Sequence, residues 1–115
     1  MKTTHFPDLE RCKKLTDVGF PENTGLSFWV MPNNMNMIVC PSVSELLDEM
    51  PPDITRWDNE EFDTYDLCIF KLDKETFCIQ YVLCDYVEEY IVQYTWTLPN
   101  ALADMYIWLK ENNYL

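Results

Sequence analysis

The sequence predicts a single α+β domain: an antiparallel sheet of about five strands, a C-terminal helix packed on one face, and two shorter helices. Three observations lead there. Between residues 66 and 96, β-type runs are joined by connections too short for parallel crossovers, which implies a meander. Leu98, Ala101, Leu102, Met105, Trp108 and Leu109 recur with helical spacing. The chain has 115 residues, 48% of them hydrophobic and 15% aromatic, enough for one core without metal or disulfide staples.

The elements follow in order. Leu9, Cys12, Leu15 and Val18 recur at threes and predict a first helix over 8–18. Asp8 and Glu10 lie in its first turn and Lys13 and Lys14 nearer its end, which suits the helix dipole. Gly19 supplies a left-handed C-cap and Pro21 prevents continuation. Residues 26–31 and 35–40 form a hairpin about the turn residues Pro32, Asn33 and Asn34. Ser42-Val43-Ser44-Glu45 reads as a capping box. Leu46, Leu47 and Met50 give the second helix its apolar face, and Pro51-Pro52 ends it. Apart from Ile54, Trp57, Phe62 and Tyr65, residues 53–66 are polar and acidic and read mostly as a connection. Strands over 66–72 and 75–84 then pair across an Asp73-Lys74 turn, and a third follows over 88–96. Pro99 sets the start of the last helix, which buries Met105, Trp108 and Leu109 against the sheet.

Twenty Asp and Glu against eight Lys and Arg leave a net charge of −12. Nucleic acids and anionic membranes are held by clustered bases, and Arg11, Lys13 and Lys14 make the one short cluster in the sequence. Direct binding to either is therefore not expected. A basic protein partner is compatible with the charge, although solubility alone also explains it. Five cysteines form an odd set without a Cys-x-x-Cys pair, and no apolar stretch approaches the ~20 residues that span a bilayer. Residues 1–7 lack the apolar core of a signal peptide. Together these predict a cytoplasmic location, with cysteines acting as small hydrophobes.

Catalytic chemistry finds little to build on. His5 is the single histidine and lies in a terminal segment, where a general base lacks held geometry. Cys68, Cys78 and Cys84 fall on adjacent strands but lack the close-spaced pairs of a zinc site. With only Gly19 and Gly25, no glycine-rich phosphate loop is possible. Asp66, Asp85, Glu88 and Glu89 lie at strand ends, where an acid/base pair is indistinguishable in spacing from solvated edge charges. No catalytic, cofactor or metal residue is assigned. An enzyme using surface carboxylates is the alternative reading, and a structural homo-oligomeric domain a third.

The stretch 45–66 stands out, with nine acidic residues against Arg56. A solvated loop and helix face would explain it. The sharper reading is a negative surface on which Asp58, Glu60, Glu61 and Asp63 surround the aromatic anchors Trp57, Phe62 and Tyr65. Such a surface would bind a basic protein, in one version as a nucleic-acid mimic. The order of several short patterns carries a resemblance too. They are Gly19-Phe20-Pro21 with Thr24 and Phe28-Trp29, then Pro41-Ser42, Glu45-Leu46-Leu47 and Met50-Pro51. Near the end come Ala101-Leu102-Ala103-Asp104-Met105, Trp108-Leu109, Glu111-Asn112 and Tyr114-Leu115. This order resembles a family of small uncharacterised proteins encoded by phages, prophages and gut bacteria. The resemblance implies a mobile-element or gut-bacterial origin and carries over no activity.

Overall fold

A computed structural model describes residues 6–21, 28–30, 37–58, 61–83 and 86–115; for 28–30, 37, 39, 58 and 86–89 it describes the backbone alone. The element order is α1 (Leu9–Asp17), β1 (Phe28–Val30), β2 (Met37–Val39), α2 (Val43–Glu49), β3 (Asp53–Asp58), β4 (Glu61–Lys71), β5 (Phe77–Leu83), β6 (Tyr86–Trp96) and α3 (Leu98–Glu111). Strands β3-β4-β5-β6 form a four-stranded antiparallel meander, and β1 and β2 pair as a separate antiparallel ladder. The α+β class and the C-terminal helix on one face of the sheet are as the sequence predicts.

The strand count is not. The sheet has four strands rather than five, because β1 and β2 stand apart from it and the supposed connection at 53–66 is itself a hairpin. Ile54 pairs with Tyr65, Thr55 with Thr64 and Trp57 with Phe62, all residue types that favour extended backbone. The acidic residues between them mask this preference, yet charges at solvent-facing strand positions do little to oppose it. The Asp73-Lys74 turn is also wider than expected: β4 ends at Lys71 and β5 begins at Phe77. The Asp73 carboxylate closes the loop by accepting from the amides of Glu75 and Thr76 at 3.0 and 2.9 Å. The turn at 31–36 and His5, Gly25 and Cys84 lie outside the described residues.

Both α1 and α3 end by one device. After α1, Gly19 takes φ 87° while its amide bonds to Thr16 O and that of Phe20 to Leu15 O. After α3, Asn113 takes φ 63° while its amide bonds to Lys110 O and that of Tyr114 to Leu109 O. These are Schellman caps, in which the residue after the left-handed one folds back on the last turn. Phe20 is thereby placed in the core beside Leu15. The Ser42–Glu45 capping box forms as the sequence predicts.

The core lies between the sheet and the helices. Ile79 and Tyr81 of β5 and Val92 of β6 meet Leu102, Met105 and Leu109 of α3, with Leu46 of α2 and Leu15 of α1 in the same cluster. A helix covered on several sides is apolar nearly all round, and α3 is buried also at Ala103, Tyr106 and Ile107. Trp108 departs from expectation. It is only half-buried and stacks on Tyr114, with ring centroids 5.4 Å apart, because the C-terminal cap brings Tyr114 back over it. Leu47, expected on the apolar face of α2, is exposed, since Val43, Leu46 and Met50 are the residues that turn inward. A smaller cluster of Cys12, Ile38 and Cys40 seats β2 on α1.

Burial makes the fold sensitive to base. Tyr81 donates its hydroxyl to Pro51 O at 2.8 Å, and burial, with the charge of Asp53 behind it, pushes its pKa up. Burial also raises Tyr94, with Asp104 and Glu111 adding to it, and Tyr106, with Glu49 adding. An unfolded tyrosine ionises near pH 10. The fold's preference for the neutral phenol is thus fully present below that pH and is lost as pH rises through and beyond it. Urea midpoints should hold from about pH 7 to 9 and fall above about pH 10, less steeply in Tyr81→Phe. An equally steep fall in that variant would remove Tyr81 from the cause.

Candidate functional site

The strongest candidate is the far end of the β3–β4 hairpin. Among the described residues the β4–β5 ladder begins with Tyr65 opposite Leu83, and residues 61–64 pair with β3 alone. The hairpin thus continues as a two-stranded arm, and an isolated two-stranded ribbon is marginal in water. Within β3, Ile54 reaches the core, whereas Thr55, Arg56 and Trp57 are exposed, as are Glu61, Phe62 and Thr64 of β4.

Strand alternation sorts these residues. Trp57 and Phe62 are direct cross-strand partners whose ring centroids lie 4.1 Å apart at 57°. Cross-strand aromatic contact of this kind contributes about 0.5–1.5 kcal/mol and holds the arm together. Both rings nevertheless remain open to solvent, at 57% and 70% exposure. Tyr65 is three positions from Phe62 and therefore points to the other face, where it packs against the main core. It cannot serve as a third anchor beside them. Asp63 shares the face of Tyr65 and stands opposite Arg56 in register.

Two pairings in the hairpin, one at its base and one at its far end, run against stability. Asp53 is the register partner of Asp66, and Asp58 that of Glu61. Like charges directly opposite on neighbouring strands are destabilising. Over residues 53–66 six carboxylates face one base, Arg56. The rest of the acidic stretch lies elsewhere: on α2, Glu45 is occupied by its cap, accepting from Ser42 N at 3.1 Å and Ser42 Oγ at 2.9 Å. Glu60 and Asp85 lie outside the described residues, as do the side chains of Asp58, Glu88 and Glu89.

Of the short basic cluster, Arg11 ties α1 to α3. Arg11 donates from Nε and Nη2 to the two oxygens of Asp104 at 2.9 and 3.0 Å, and from Nη1 to Asp8 at 2.6 Å. Its guanidinium also lies 5.8 Å from the centroid of the Trp96 ring. Burial works against the Arg11 charge, but Asp104 and then Asp8 outweigh it and raise its pKa. Lys13 meets Glu10 at 3.8 Å.

A cleft of about 370 Å³ lies between the β4–β5 loop and the start of α3, lined by Glu75, Thr76, Thr95, Trp96 and Thr97. It holds a single carboxylate and no histidine or cysteine, so it does not assemble an acid/base pair. Among the described residues no group of three or more His, Cys, Asp or Glu is arranged to hold a metal ion. No helix among them is long and apolar enough to cross a membrane. Comparison with protein-family models, curated proteins and solved structures finds no match.

Proposed function

We propose that this is a non-enzymatic accessory protein of the phage- or prophage-related kind its motif order resembles, acting in the cytoplasm by binding a basic protein through the β3–β4 arm. The observation that carries this reading is the combination at the arm: an exposed Trp57–Phe62 pair standing among carboxylates that oppose one another across the strands. A cationic partner would relieve the Asp53–Asp66 and Asp58–Glu61 repulsions, while the rings supply the apolar contact that slows dissociation. The surrounding charge would speed encounter at low salt. A partner with a nucleic-acid groove would then meet the arm where it meets phosphates.

Selection from a displayed random-peptide library tests this. Peptides retained by the protein should be enriched in Lys and Arg alongside apolar residues. Trp57→Ala and Phe62→Ala should each weaken the best of them by about tenfold. Neither should shift stability by more than about 1.5 kcal/mol, since neither ring lies in the core. Retained peptides without basic enrichment, or binding indifferent to both substitutions, would overturn the assignment.

A further inference from the structure

The two edges of the sheet are protected differently. Beside β6 the ladder is irregular, with register shifts between Tyr81 and Val82 and between Val82 and Leu83. Bulges of this kind twist an edge away from further pairing. The edge at β3 has no such irregularity: its register with β4 runs unbroken from Asp53 to Asp58, and no proline interrupts it. Among the described residues, the backbone of 53–58 makes no hydrogen bond outside that ladder. Half of its amides and carbonyls therefore point outward, with no strand among the described residues to receive them.

What protects this edge is charge of one sign. Six carboxylates against Arg56 over residues 53–66, on a chain of net charge −12, repel the arm of a second copy. The same charge attracts a basic strand. We infer that the outer edge of β3 accepts an extended, Lys- or Arg-rich segment of a partner protein as an added β-strand. This rests on the arm being the binding site, as proposed above. Backbone pairing supplies the affinity in this mode, and alternate side chains supply the selectivity. A guest residue beside Trp57 lies against an open aromatic face that suits a cation or an apolar chain. A guest residue beside Asp53 meets a carboxylate whose register partner is Asp66 rather than a base.

The test uses the full chain, isotope-labelled for NMR, and a capped peptide of alternating lysine and valine long enough to span β3. Binding should slow hydrogen exchange at alternate amides of 53–58 by about tenfold or more. The same peptide N-methylated throughout keeps its charge and side chains but has no amide donors, and should bind about tenfold more weakly. Equal binding of the methylated peptide, or exchange at 53–58 left unchanged, overturns strand addition. If Trp57→Ala abolishes that binding, the arm survives as a side-chain site; if it does not, the arm reading falls as well. Failure of the unmethylated peptide to bind overturns strand addition alone, leaving the arm to the library selection.

Discussion

Leu102→Ala is expected to lower the unfolding free energy by about 3–5 kcal/mol, more than Trp108→Ala, which removes a larger side chain. Leu102 is wholly buried in the cluster that joins α3 to the sheet and the other helices, so alanine leaves a cavity that the surrounding elements cannot fill. Transfer and cavity costs then add. Trp108 lies at the edge of the same cluster and leans on Tyr114, where solvent can occupy the space it vacates. Its loss should cost about 1.5–3 kcal/mol, the transfer cost alone. Urea midpoints at unchanged m-value measure both. A greater loss from Trp108→Ala than from Leu102→Ala would mean that the helix is anchored at its C-terminal end.

Arg11→Met is expected to cost about 2–3 kcal/mol, the second largest loss. The guanidinium forks onto Asp104 and reaches Asp8 as well, and the Arg11 and Asp104 side chains keep only 25% and 24% of their surface exposed. Removing it leaves those carboxylates facing each other without a cation between them. Asp8 is also tied to α3, its amide donating to Asn100 Oδ1 at 2.9 Å, so the repulsion acts where α1 docks. Arg11→Lys should recover less than half of the loss, since an ammonium cannot make two parallel bonds to Asp104. The coupling between Arg11→Met and Asp104→Asn in a double-mutant cycle isolates the pair. Full stability in Arg11→Lys would show that charge alone, without the fork, suffices.

Arg11 also illustrates why part of the molecule was not legible. Its neighbours in sequence marked it as a member of a basic cluster, whereas Asp104, its main partner, lies 93 residues away. The candidate arm was hidden for a different reason. The β-branched and aromatic residues Ile54, Thr55, Trp57, Phe62, Thr64 and Tyr65 were a usable signal, but a window dense in carboxylates reads as solvated chain. That Trp57 and Phe62 share one face and Tyr65 belongs to the other follows from the strand register, which a reading of 53–66 as a connection conceals.

Local chemistry determined what needs only neighbours in the chain. The Ser42–Glu45 cap, the left-handed Gly19, the start of α3 at Pro99 and the run of short antiparallel connections depend on bonds and torsions within a few residues. Tertiary structure decided the rest: the fourth strand, the burial of α3 on nearly every side, the outward turn of Leu47, and the pairing of acid with acid in the hairpin. Each of these depends on which surface comes to lie opposite, and an apolar stripe or a charged residue carries no record of its partner. A strand's faces acquire their roles only when a second strand sets the register and a layer of helices covers one side.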